Sequence, residues 1–397
     1  MASLTCLSHI GLTARYAKLS DMRSMTRFAA AASTLALTAG IAAIAAPAAS
    51  AAAATGIRAS SVVQSSIADD ADWLLQGQLP DGAIAWYIDK GHISPYLGNY
   101  AAIGLAEARK QTGVTAYSDA AWAWLSWYAA HQDANGFVTD YDVDATGVET
   151  STGDEDSTDA YAGTFLSAVR AAYTVDPSVS QLRALQTSIS AAVGAIETTQ
   201  DVDGLTWAKP TWHVKYLMDE TEAYNGLLSA ADLARALADS TLRNRASADA
   251  SKLKTGIASL WDAPTGAYDW AKNDGGGLNS TDWNVLYSDS LEQAWVAGSN
   301  AVSSTRARSL LNTFAAAQPE WSTPNAMADM NGSTGTVGYW PVAGWALLHV
   351  GRASEAASAA DSIRSAAIGN GRAWPFTTGN AGQLIVLESG DTALITP

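Results

Sequence analysis

Residues 117–130 read YSDAAWAWLSWYAA, residues 132–157 read QDANGFVTDYDVDATGVETSTGDEDS, and residues 158–173 read TDAYAGTFLSAVRAAY. The first and last stretches are rich in alanine and repeat apolar residues every three or four positions, the period of a helix with one buried face. The stretch between them is long, full of Gly, Asp and Thr, and has no helical period. The unit is therefore a helix, a long loop and a second helix.

The same unit recurs on both sides. Val62 to Leu75, Tyr100 to Lys110, Gln181 to Glu197, Glu220 to Ala238, Arg243 to Leu260, Ser290 to Ala297, Thr305 to Ala317, Val342 to Val350, Glu355 to Ala366 and a weaker Gly382 to Leu387 complete twelve helical segments. Strand-like alternation is nearly absent. Odd helices pass to even ones through long loops, 77–95, 132–157, 198–214, 262–289 and 319–341. Even helices pass to odd ones through short turns such as Gln111-Thr112-Gly113 and Thr174 to Pro177. Loops of that length in a compact domain tend to carry function. Six hairpins with every long loop on one side describe an all-α toroid, an (α/α)6 barrel, with one elaborated rim.

A short motif marks the repeat. Gln78-x-x-x-Gly82, Gln132-x-x-x-Gly136 and Gln200-x-x-x-Gly204 each follow an odd helix, with Gly266 and Gly371 in degraded copies. Separations of 54 and 68 residues fit one hairpin per repeat. A glycine there permits the tight turn that ends a helix, and helix termination is the role expected of it.

Residues 1–51 have the form of a secretory leader, with residues 1–24 readable as the product of an upstream start codon. Met25-Thr26-Arg27-Phe28 is basic, Phe28 to Ala46 is apolar, and Ala49-Ser50-Ala51 offers a small-residue cleavage site. The chain is therefore expected to be exported and secreted, with 52–59 a short linker and 60–397 a single catalytic domain. No twin-arginine pair and no later membrane-length apolar run is present. The one cysteine, Cys6, falls in the leader, so the mature chain needs neither disulfide nor thiol chemistry. Removal of the leader takes away four basic residues and one acid and moves the net charge from −16 to −19. Such a chain is a poor partner for nucleic acid or an anionic membrane, and a monomer is expected.

Three even helices begin with the same acidic spacing: Asp156-x-x-Asp159, Asp219-x-x-Glu222 and Asp289-x-x-Glu292. The first two are followed by Tyr161 and Tyr224. Each pair fits a helix cap, because an N-cap Asp accepts a backbone N–H and an acid three residues on suits the helix dipole. In a toroid the three pairs also gather at one rim, so catalysis competes with capping as the explanation.

Asp154-Glu155-Asp156-Ser157-Thr158-Asp159-Ala160-Tyr161 and Tyr216-Leu217-Met218-Asp219-Glu220-Thr221-Glu222-Ala223-Tyr224 resemble the acid-and-aromatic starts of inner helices in the six-hairpin glycosidase superfamily. The resemblance extends over about Ser60 to Pro397 through hairpin count, loop asymmetry and aromatic loops. It implies a carbohydrate-active enzyme of (α/α)6 fold acting on a poly- or oligosaccharide, with inversion favoured by fold analogy.

Glycoside hydrolysis needs one protonated and one ionised carboxyl across the scissile bond. Asp156 or Asp159 with Asp219 or Glu222 is the expected pair, and Asp289 with Glu292 is held in reserve. Helix N-termini lower carboxylate pKa values, so the general acid needs burial or like charge to stay protonated. Loop aromatics suit sugar faces: Trp86, Tyr87, Tyr96, Trp207, Trp212, Trp270, Trp283, Tyr339, Trp340 and Trp374, together with Tyr161 and Tyr224. Trp122, Trp124 and Trp127 lie mid-helix and are expected to pack. His92, His213 and Lys215 are candidates for binding substrate hydroxyls. No metal-ligand spacing and no phosphate loop appears, so neither metal nor cofactor is expected, and the acids of 140–144 and 154–156 read as a solvated loop, with weak calcium binding as the alternative. Alternatives on related toroids are a polysaccharide lyase, which the negative charge disfavours, a triterpene-cyclase-like protein, which export disfavours, and a non-catalytic carbohydrate binder.

Overall fold

The structure, a computed structural model, describes residues 48–323, 338–395 and 397. The leader expected over 1–51, with Cys6, lies almost wholly outside the described residues, as does the centre of the 319–341 loop. Residues Ser61–Pro397 form one compact unit.

In chain order the helices are α1 (Ala48–Leu75), α2 (Pro95–Thr112), α3 (Thr115–His131), α4 (Thr158–Val175), α5 (Val179–Ala184), α6 (Gln186–Thr199), α7 (Leu217–Ala236), α8 (Ser240–Ser259), α9 (Leu291–Ala297), α10 (Ser304–Ala317), α11 (Pro341–His349), α12 (Ala353–Gly369) and α13 (Thr378–Ser389). Residues 52–59, expected as a linker, continue α1, because their alanines favour helix. The expected segment 181–197 is two helices, broken at Leu185. Pro95 occupies the first turn of α2, where its missing N–H costs nothing.

The inner helices close a ring: α2 packs on α4, α4 on α7, α7 on α9, α9 on α11, α11 on α13, and α13 on α2. The fold is an (α/α)6 barrel. Closure needs backbones in near contact. A Cβ on Gly382 of α13 would lie 2.2 Å from the Tyr100 carbonyl oxygen of α2. The first and last hairpins are also joined by charge, Arg364 and Arg372 pairing with Asp69 and Asp70 of α1. Trp122, Trp124 and Trp127 are buried in the core, as their mid-helix positions imply.

The ring helices α2, α4, α7, α9 and α11 each follow a long loop in sequence, and α13 follows the shorter 370–377 connection. Those loops carry strands too short to reveal an alternating pattern in sequence. β1 (His92–Ile93), β2 (Tyr141–Val143) and β3 (Glu149–Ser151) form one antiparallel sheet over α2 and α4, with His92 opposite Asp142. β4 (Val214–Tyr216) pairs with β7 (Ala271–Asn273), which pairs with β8 (Leu278–Asn279), over α7 and α9. β5 (Trp261–Asp262) and β6 (Ala267–Tyr268) form a separate pair.

The Gln-x-x-x-Gly motif does more than end a helix. Gln78, Gln132 and Gln200 each donate to the carbonyl of the motif glycine and to a carbonyl of the next outer helix, Ala120, Ser188 and Asp249 respectively. The motif therefore clasps one hairpin to its neighbour.

Candidate active site

None of the three rim aspartates caps its helix. The N-cap of α4 is Ser157, whose side chain accepts from Ala160 N; that of α7 is Tyr216; that of α9 is Ser290. Asp156 precedes the cap, Asp219 lies inside the first turn, and Asp289 belongs to a distorted turn over Leu286–Ser290. The capping explanation of the shared spacing is thereby corrected: the backbone enters each helix one or more residues away from where a capping Asp would need it.

Asp219 sits among acids from three helices. Burial raises its pKa well above the ordinary carboxyl range, and Asp159, Glu222, Asp156 and Glu292 push it further in the same direction. The Ser157 hydroxyl lies 2.9 Å from Asp219 Oδ2 and 2.5 Å from Asp159 Oδ1. Asp159 is wholly buried and accepts also from Thr206 Oγ1 at 2.5 Å and from Ala160 N at 2.8 Å; burial lifts it to about 6 against those bonds.

Asp156 differs in being open to solvent, although loop walls crowd around it. That surround and the neighbouring Asp140 push its carboxyl up to about 6. The Lys209 charge acts against that rise.

Glu222 lies deeper. Its Oε1 accepts from Tyr96 at 2.7 Å, from Trp295 at 3.1 Å and from Tyr100, while Oε2 is buried without a partner among the described residues. Burial raises it to about 7 against those three donors. An internal pocket lined by Tyr100, Thr164, Thr221, Asn225, Trp295 and Trp345 opens beneath it. In the third acidic pair, Glu292 rather than Asp289 adds to the charge around Asp219. Asp289 instead accepts from the Asp282 backbone at 2.8 Å and ties its own loop.

Two aromatic sets flank the acids. On one side Trp86 packs between His92, 4.2 Å away, and Trp374, 5.0 Å away, and Trp374 is half exposed. His92 contacts Asp140 and Asp142, Asp140 accepts from Tyr161, and Tyr161 meets the backbone of Asp156. On the other side Tyr216 stacks on Trp270 and accepts from Trp212 Nε1 at 3.1 Å. Near the pocket, Trp340 stacks on Tyr287 and meets Trp295 edge to face. Tyr96 stacks on Tyr161. The ring order places the Trp86 and Trp374 loops opposite the Trp212 and Trp270 loops.

Several expected binding residues have other work. Lys215 is buried, pairs with Asp201 and Asp203 at 2.7 Å, and sits under Trp207. Its charge holds a loop turn and is shielded from any ligand. Tyr224 is buried, with its hydroxyl 3.4 Å from the Asn300 carbonyl. Trp283 donates to Thr265 O and packs on the core, and Tyr87 donates to Arg372 O while packing on Trp73. Tyr339 is buried against Phe376. His213 is exposed, stacks on Trp207 and contacts the Pro210 carbonyl.

Sequence reasoning missed Tyr100, Ser157, Thr206, Trp295 and Asp140, which hold the acids in place. Ser157 was within sight, standing between two acids directly before a helix. Tyr100 and Trp295 resemble core positions and carry no separate signal. Among the described residues no group of acids and histidines is arranged to hold a metal ion. No described helix is long and apolar enough to cross a membrane.

No protein-family model matches the sequence, and no curated protein does. Solved structures match the fold. A mannosylglycerate hydrolase from Thermus thermophilus is 12% identical at a TM-score of 0.57, over 83% of this chain and 100% of that one. A beta-1,3-1,4-glucanase from a Paenibacillus species is 14% identical at 0.54, over 83% and 93%. A D-mannose isomerase is 12% identical at 0.53, over 83% and 97%. The barrel is thus one that glycosidases use, and at such identity the likeness lies in the fold; chemistry has to be argued from the site.

Proposed function

We propose that the chain is a glycoside hydrolase acting on an extended poly- or oligosaccharide. The observation that carries this reading is Asp219, a carboxyl whose pKa burial and four neighbouring acids raise well above the ordinary carboxyl range, beside the solvent-open Asp156. A general acid must hold its proton at working pH, and its partner must be ionised and reach water.

Asp219 donates its proton to the glycosidic oxygen as the bond to the anomeric carbon breaks. Asp156 takes a proton from the water that attacks that carbon from the opposite face, giving inversion. The leaving sugar departs with a hydroxyl, and the two carboxyls exchange protons with solvent to reset. Trp86 and Trp374 on one side, and Trp212, Tyr216 and Trp270 on the other, offer faces on which pyranose rings stack. Exposed Asp142, Asp154 and Asp156 favour a neutral or cationic glycan over an anionic one. Export, suggested by residues 1–51, would bring the protein to such polymers.

The test is release of reducing ends from a panel of neutral, cationic and anionic polysaccharides by wild type and Asp219→Asn. Hydrolysis of at least one neutral or cationic glycan is expected, falling ~10²-fold or more in the variant. No release from any glycan, or equal release by the variant, would overturn the reading.

A further inference from the structure

Three buried carboxyls at the rim are joined by two hydroxyls. Ser157 Oγ stands between Asp219 Oδ2 at 2.9 Å and Asp159 Oδ1 at 2.5 Å. Thr206 Oγ1 stands between Asp159 Oδ2 at 2.5 Å and Glu220 Oε2 at 3.1 Å. Asp159 and Glu220 are fully buried and Asp219 nearly so.

Each hydroxyl has one hydrogen and two carboxyl neighbours, so it donates to one of them only. Both hydroxyls give their shorter contacts to Asp159, which also takes the Ala160 N–H. That set of three donors suits an anion at Asp159. The remaining contacts, Asp219 to Ser157 and Glu220 to Thr206, then need a hydrogen from the carboxyl side. The order is Asp219–H to Ser157 to ionised Asp159, and from the other end Glu220–H to Thr206 to the same Asp159.

We propose that Asp159 is a positioning residue which, through the Ser157 hydroxyl, keeps the proton on Asp219, with Thr206 and Glu220 extending the same chain. An anion at Asp159 makes a second charge at Asp219 costly, and the Ser157 oxygen accepts the proton that Asp219 retains. When Asp219 gives up that proton the buried chain carries two negative charges, which drives its return. Burial raises Asp219 and Glu220 well above the ordinary carboxyl range and Asp159 to about 6, in agreement with this order. The other groups facing Asp219 are Asp156, Glu222 on its own helix, Glu292 from α9, Tyr96 from α2 and Tyr216 from β4; Lys215 acts on Glu220. The kinetic part of the inference rests on Asp219 being the general acid.

The experiment is carboxyl 13C NMR of the full chain labelled at aspartate, with Asp219→Asn assigning the Asp219 signal, alongside the pH profile of kcat/KM. In Asp159→Asn the Asp219 midpoint should fall by roughly one pH unit, and the basic limb of the profile should move with it. Ser157→Ala, which keeps every carboxyl, should lower the midpoint too and decides the matter if Asp159→Asn does not fold. An unmoved midpoint in the folded variants overturns the inference. A moved midpoint with an unmoved basic limb upholds it and instead removes Asp219 from the role of acid.

Discussion

The backbone nitrogen of Asp156 donates to the hydroxyl of Tyr161 at 3.3 Å, and that hydroxyl in turn donates to Asp140 at 2.8 Å. Asp156 is therefore held by its main chain, and its carboxyl accepts no hydrogen bond from the described residues. An exposed acid fixed at the backbone and left free at the side chain is well placed to work on water.

Asp156→Asn should separate fixation from chemistry. The substitution leaves the backbone bond to Tyr161 and the Ser157 cap intact, so the melting temperature should stay within a degree or two, a stability change of no more than about 0.5 kcal/mol. Turnover should fall by ~10²-fold. Tyr161→Phe should lower turnover less while broadening the acidic limb of the pH profile, since it loosens the backbone and leaves the carboxyl. Steady-state kinetics and thermal melts of both variants check this, and full turnover in Asp156→Asn would remove it from the mechanism.

Stability should fall as pH rises from 5 to 8. Asp159 and Glu222 have folded pKa values of about 6 and about 7, and Asp219, Glu220 and Glu292 are raised well beyond the ordinary range near 4. The native state holds these protons where the unfolded chain has released them, so unfolding becomes easier as pH climbs from about 4 through those values. Asp69, Asp201 and Asp203, lowered by Arg and Lys partners, stabilise above about 4 and lose that contribution only on acidification. Calorimetry at pH 5 and pH 8 should give the higher melting temperature at pH 5, with a smaller difference in Asp219→Asn. A melting temperature that rises toward pH 8 would contradict the assignment of protons to the buried acids.

The exposed tryptophans should govern affinity more than rate. Trp374→Ala and Trp212→Ala each remove an exposed stacking face that makes no hydrogen bond to the acids, a loss of about 1 kcal/mol. KM for a long glycan should rise several-fold with kcat nearly unchanged. A large fall in kcat with constant KM would place these rings at the reacting sugar.

The barrel was legible in the sequence because hydrophobic period and loop asymmetry are set locally and repeat. The 117–173 unit shows both, and so do four others. The acids at 156, 159, 219 and 222 were legible as a group, whereas their separate roles were not. Ser157 joins Asp219 across sixty-two residues and Trp295 reaches Glu222 across seventy-three, and no spacing rule encodes such contacts. Lys215 misled for the same reason. A lysine in a loop reads as exposed, and only the three-dimensional meeting with Asp201 and Asp203 explains its burial. Thr377-x-x-Asn380 is a capping box that extends α13 four residues before the segment its apolar period marks.

Two glycines can test whether the repeated motif is a clasp or only a helix stop. Gly136 and Gly266 both have positive φ, 86° and 67°, so alanine at either meets the same backbone strain, about 1 kcal/mol. A Cβ at Gly266 meets nothing within 4 Å, whereas one at Gly136 would lie 2.2 Å from the Ala191 carbonyl oxygen of the next outer helix. That oxygen is backbone in a packed helix and cannot swing aside. Gly266→Ala should therefore cost only the strain, and Gly136→Ala should cost more than about 3 kcal/mol in total. Gln132→Ala, which keeps the glycine but frees the Gly136 and Ser188 carbonyls, should fall between them at about 1–2 kcal/mol. Chemical denaturation of the three variants gives the order. Equal losses at Gly136 and Gly266 would reduce the motif to a turn signal and leave the hairpins held by core packing alone.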